Sequence, residues 1–95
     1  MRDPPWHPMS KSIDLKHIGK LAEELNEAGA ACNRCIIQGI DEKEPVTGKL
    51  NKEWLEDEIA DVLANIQLVT KHFSLTIDQE RINLKLKHLS NWHKA

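Results

Sequence analysis

Residues 54–66 read WLEDEIADVLANI. Leu55, Ile59, Val62 and Ile66 recur by four and three, the spacing that gathers side chains on one face of an α-helix, and Val69 and Phe73 continue it. A strand would require alternation, which is absent. Between the apolar positions fall Glu58 and Asp61, one turn apart and displaced from the apolar face by one residue, about 100° around the helix. The stretch therefore carries two stripes: an aliphatic seam, and an edge formed by Trp54, Glu58, Asp61, Asn65, Leu68 and His72.

Working outward, Asn51 is a good N-cap for this helix. Before it, GIDEKEPVTGKL (39–50) holds Pro45, Gly48 and several charges and reads as a loop. Upstream again, Ile18, Leu21, Leu25, Ala28, Cys32 and Cys35 alternate by three and four, so a first helix is expected from Ser12 or Ile13 to Gln38, ended by Gly39. Downstream, TIDQ (76–79) resembles a capping box with Thr76 at the N-cap and Gln79 three residues on. It opens a third helix to about Trp92, with Ile82, Leu86 and Leu89 facing inward. Residues 1–12, with Pro4, Pro5 and Pro8, read as an extended arm whose one large apolar anchor is Trp6.

The fold class is all-α: an antiparallel helical hairpin plus a third helix, forming one domain over 13–95. Three such helices bury a modest core, and Ile77, Leu84 and Trp92 give the third helix a second apolar side. A homo-oligomer is expected to complete the bundle, with a dimer as its smallest form and a tetramer also open.

The chain has 95 residues and a formal net charge of -2, so it shows no basic excess for general nucleic-acid binding. It contains no apolar run long enough to span a membrane, and its first residues lack the apolar centre of a signal peptide, so a cytoplasmic protein is expected. Cys32 and Cys35 form CNRC, but without a preceding strand or two further ligands they read as reduced helix thiols packed as small apolar groups. TGK (47–49) lacks the spacing of a phosphate loop and is a turn. His7, His17, His72, His88 and His93 show no common metal-ligand spacing and read as scattered surface residues.

On the first helix Lys20, Glu24, Glu27, Ala31 and Arg34 form an edge displaced from the seam in the same sense as the acidic edge of the second. In an antiparallel hairpin such edges share one side of the contact. Glu24, Glu27, Glu58 and Asp61 are then expected to flank the seam and converge on one groove. Four carboxylates there repel, and either raised pKa values or cations must offset the repulsion. Oxygen-only donors suit Mg²⁺ or Mn²⁺ rather than zinc. A di-iron bundle would need Glu-x-x-His pairs, which both edges lack. The plain alternative is a solvated acidic face, since charged residues make up 29% of the chain.

At these residues the sequence resembles the MazG-like nucleotide pyrophosphohydrolases, an all-α superfamily that includes dimeric dUTPases, dCTP pyrophosphatases and phosphoribosyl-ATP pyrophosphohydrolase. Its signature is Glu-x-x-Glu on one helix and Glu-x-x-Asp on the next. KLAEELNEAGAA supplies Glu24 and Glu27, and LEDEIADVLANI supplies Glu58 and Asp61, with the similarity spanning about residues 13–92. The resemblance implies Mg²⁺ held by those four acids, and hydrolysis of a nucleoside triphosphate, deoxy or non-standard, to the monophosphate and pyrophosphate. Such an activity would clear the nucleotide pool. Lys20, Arg34, Arg81 and Lys85 are candidate phosphate contacts, with His88 beside the last two. Asn65 is a candidate reader of sugar or base, and Trp54 a surface for a base to stack on. Phosphoribosyl-ATP hydrolysis and a non-catalytic helical interaction module are the alternatives.

Overall fold

The computed structural model describes residues 5–94. It consists of α1 (Ser12–Gln38), α2 (Asn51–His72) and α3 (Gln79–Lys94), with no strand among the described residues. Among the described residues no helix is long and apolar enough to cross a membrane. The all-α architecture follows from the three-and-four spacing of its apolar residues.

α1 stops at Gly39, whose φ of 108° lies where a side chain is strained and whose N–H donates to the Cys35 carbonyl at 2.9 Å. A Cβ there would also stand 2.9 Å from Cγ of Glu42. The following loop folds on the Glu44 carboxylate, which accepts the N–H groups of Val46 at 3.0 Å and Thr47 at 2.7 Å and the Thr47 hydroxyl at 2.8 Å. These donors hold Glu44 below the ordinary carboxylate range. Lys43 and Leu50 pair as an isolated antiparallel bridge and bring the chain back to α2.

Asn51 does not act as the cap of α2. Leu50 occupies the cap position, and Asn51 is the first helical residue, 0% exposed. Its Nδ2 donates to Oε1 of Gln38 at 3.1 Å and to the Gly39 carbonyl at 3.0 Å, while its own N–H donates to the Glu42 carbonyl at 2.9 Å. The last carbonyls of a helix need donors from outside it, and Asn51 supplies one to the end of α1. One buried side chain thereby fixes the junction of the hairpin.

The start of α3 also differs from the capping-box reading. Oδ1 of Asp78 accepts the N–H groups of Glu80 at 3.0 Å and Arg81 at 3.2 Å. Asp78 directly precedes the helix and reaches its free donors, whereas Thr76 lies too early. Gln79 instead bonds Asn83 at 3.0 Å. The helix runs to Lys94, two residues past Trp92.

α1 and α2 pack antiparallel, with Arg34 beside Trp54 at one end and Asp14 beside His72 at the other. The positions with reduced exposure on α1 include Asp14, His17, Leu21, Glu24, Ala28, Ala31 and Cys35; on α2 they include Asn51, Leu55, Glu58, Val62, Asn65 and Val69. The contact line therefore runs between the aliphatic seam and the acidic edge, taking alternate residues from each. Glu24 and Glu58 lie in the contact rather than beside it. Ile18, Leu25, Cys32, Ile59 and Ile66, all expected inside, are exposed along the opposite edge. The small Ala28 and Ala31 let the helices approach on the acidic side, and a two-helix contact is too narrow to cover the remaining aliphatic residues as well.

α3 packs against neither α1 nor α2 and has no buried residue. The radius of gyration is 17.8 Å, against about 12 Å for a compact chain of this length. Trp6 is exposed, so the described part of the arm is not anchored by it; Pro4 lies outside the described residues.

Candidate functional site

Glu24, Glu27 and Glu58 each direct one carboxylate oxygen to a common point, all within 4.8 Å of one another. The hairpin makes this meeting: Glu24 and Glu58 come from the contact line, and Glu27 from the edge one turn along α1. Lys20, one turn before Glu24, places Nζ 3.2 Å from Glu24 Oε1 and 3.5 Å from Glu23. The hydrogen bond with Glu24, then the charge of Glu23, raises the Lys20 pKa, so it stays a cation.

The pair is incomplete on the other side. Glu24 Oε2 and Glu58 Oε2 are buried and have no hydrogen-bond partner among the described residues. Buried carboxylate oxygens are costly without a donor or a cation. The charge of Glu24 is the largest cause raising the Glu27 pKa, followed by desolvation and the charge of Glu58. Three converging carboxylates, two of them with a buried unpartnered oxygen, are a donor set that could hold a hard divalent ion of the Mg²⁺ or Mn²⁺ kind, which takes oxygen donors and retains water.

Asp61 is exposed and outside this group of oxygens. The contact line passes through Glu58, Val62 and Asn65, so Asp61 falls one position to its side. Its carbonyl oxygen accepts the Asn65 amide at 2.9 Å.

Beyond the acids, toward the C-terminal end of α1, a pocket of about 160 Å³ is lined by Glu27, Ala30, Ala31, Arg34, Trp54 and Glu58. The Trp54 ring carries two cations, Lys49 Nζ 4.4 Å and the Arg34 guanidinium 5.6 Å from its centre, and Lys49 also pairs with Asp57. The indole Nε1–H is buried without an acceptor among the described residues. Trp54 thus gives the pocket an aromatic wall.

Toward the N-terminal end of α1, a second pocket of about 160 Å³ is lined by Lys16, His17, Lys20, Asn65, Leu68 and Val69. Next to it the His17 and His72 rings stack, with centres 3.9 Å apart, and His72 Nε2 lies 2.7 Å from Asp14 Oδ1. These two histidines are paired across the hairpin rather than scattered. Stepping the edge of α1 back one turn from Lys20 reaches His17, which is the signal in the sequence for its place in the groove.

Arg81 and Lys85 are not brought to the acids. They sit on α3, away from the hairpin, and with Ile77, Ile82, Leu84 and His88 line a separate cavity of about 660 Å³. Cys32 and Cys35 are free thiols; Cys35 is half-buried and donates a weak bond to the Asn51 carbonyl at 3.8 Å, whereas Cys32 is exposed rather than packed.

No family model, curated protein or solved structure matches this chain. The chemistry of the groove rests on its own residues.

Proposed function

We propose that the chain is a Mg²⁺- or Mn²⁺-dependent nucleoside triphosphate pyrophosphohydrolase that works as a homo-oligomer. The observation that supports it most is the meeting of Glu24, Glu27 and Glu58 oxygens within 4.8 Å, two of these acids also carrying a buried, unpartnered oxygen. Glu24, Glu27 and Glu58 would hold the ion, with Asp61 one turn away on α2 to extend the set. A bound divalent ion supplies charge neutralisation for a polyphosphate and acidifies water for attack on phosphorus.

The chain's own groups account for the rest. Lys20 offers a permanent positive charge at the edge of the acids, and Arg34 offers planar donors beside the Trp54 pocket. A triphosphate could not approach three carboxylates unaided, so a cation on the acids and lysine at their edge favour a polyphosphate ester over a neutral substrate. A deoxy or non-standard nucleotide, removed from the pool as monophosphate and pyrophosphate, is the substrate class proposed.

The oligomer is supported by the apolar surface left uncovered: Ile18, Leu25, Ile59, Leu63 and Ile66 along one edge of the hairpin, and the whole apolar side of α3. Among the described residues only Ala31 and Val69 are buried hydrophobics, too few for a stable monomer.

Incubation of the folded, Mg²⁺-loaded protein with a panel of ribo-, deoxy- and modified triphosphates tests the reading. Monophosphate and pyrophosphate should appear in equal amounts for at least one of them. If all stay intact, or if orthophosphate is released instead, the proposal is rejected and a binding or interaction role takes its place.

A further inference from the structure

We propose that the uncharged side of α1 is the docking surface for α1 of a second copy of this chain, seated antiparallel about a two-fold axis at the level of Glu27. This rests on the homo-oligomer reading and gives it a geometry. Ile18, Ala22, Leu25, Gly29, Cys32 and Ile36 recur by four and three along α1, and all six are exposed. Leu15, Asn26, Asn33 and Ile37, on the flank of this stripe away from α2, carry no charge either. Charges normally occupy the side of a helix that faces water, and they make up 29% of this chain. On α1 every charged residue after Asp14 falls elsewhere around the helix, so the free side is apolar where a solvated face would be charged.

The size of the surface suits a stable contact. Ile59, Leu63 and Ile66 of α2 stand exposed on the same side of the hairpin. Together with the stripe they present roughly 800 Å², about the share that each partner gives to a standard interface. Glu58 meets Glu24 and Glu27 across the hairpin, so its neighbour Ile59 lies at the level of the axis and adds to the centre of the contact.

The stripe is complementary to itself, which is what a contact between identical copies requires. Run antiparallel, it sets Leu25 against Gly29, Ala22 against Cys32 and Ile18 against Ile36 of the second copy. Large side chains then fill the levels left open by small ones. A parallel pair would set Leu25 against Leu25 and Gly29 against Gly29, alternating a crowded level with an empty one. Gly29 supports the close approach independently. Glycine weakens the interior of a helix relative to alanine, yet a Cβ at Gly29 would meet nothing within 4 Å. Its small size serves no packing among the described residues, and it does serve Leu25 of the second copy.

Two variants of the full chain test the seating. In a Cys35→Ser background Cys32 is the one remaining thiol. Adding Ala22→Cys and oxidising with copper phenanthroline should link most of the protein into disulfide dimers, at least tenfold more than the background alone. A disulfide needs Cα atoms within about 7 Å, whereas positions 22 and 32 of one helix lie about 15 Å apart, so the link must join two chains. Gly29→Leu favours the helix, and its Cβ meets no atom of its own chain, so the variant should fold. It should weaken association more than tenfold by sedimentation. If wild type associates but Cys32 links to itself, or Ala22→Cys fails to link, or Gly29→Leu associates as before, the seating is overturned and the homo-oligomer stands. A wild type that remains a single chain overturns both.

Discussion

Glu24 is 6% exposed and Leu25, its neighbour on α1, is 51% exposed. A step of one residue turns the helix by about 100°, so the two side chains belong to different sides of the hairpin. Glu24 faces α2, where Glu58 and Glu27 meet it. Leu25 stands on the opposite edge with Ile18, Ile59 and Ile66, where no part of the described chain covers it. The hairpin thus keeps its converging acids on one side and its uncovered aliphatic residues on the other.

Because those surfaces are separate, Leu25→Lys should disrupt association without touching the acids. Sedimentation should show a smaller particle than wild type at equal concentration, with a lower melting temperature. An unchanged mass in both proteins, equal to that of one chain, would dismiss the homo-oligomer.

Glu58→Gln removes one charge from the converging oxygens while keeping the side chain's shape. Nucleotide hydrolysis should fall by more than about a hundredfold, since loss of a ligand charge exceeds the effect of outer-shell changes. Without metal the melting temperature should hold or rise, because repulsion among Glu24, Glu27 and Glu58 is relieved. Wild-type turnover in this variant would remove Glu58 from the site.

The raised pKa of Glu27 sets a pH dependence. As pH falls through that raised value the folded protein takes up a proton before the unfolded chain does at about 4.5, so this group's contribution makes the metal-free protein more stable on acidification across that window. The same proton competes with a cation. Stabilisation by millimolar Mg²⁺, read from melting temperature, should therefore shrink as pH drops through the window and vanish in Glu27→Gln if Glu27 is an essential ligand.

Asn51→Ala should destabilise the hairpin by roughly 1–3 kcal/mol, because the Gly39 carbonyl loses a donor in a buried setting. The shift should be seen in the urea midpoint at constant protein concentration, with faster amide exchange across residues 39–50. A change within error would mean that the junction is held by the loop backbone alone.

The three-and-four spacing of apolar residues, Gly39 and the proline-bearing loop were enough to determine an all-α chain and the span of α1, because helix period and termination are local properties. The same spacing placed Glu24, Glu27 and Glu58 on edges able to meet. Which stripe would face the partner helix was a different matter. The apolar seam and the acidic edge lie only about 100° apart, and a pair of helices can rotate between them at small local cost. Tertiary packing decided it, through the small Ala28 and Ala31 at the contact and the Asn51 junction that fixes the hairpin's ends. That rotation drew Glu24 and Glu58 inside, left Asp61 at the side, brought His17 against His72, and exposed the leucines and isoleucines whose burial the spacing alone had implied.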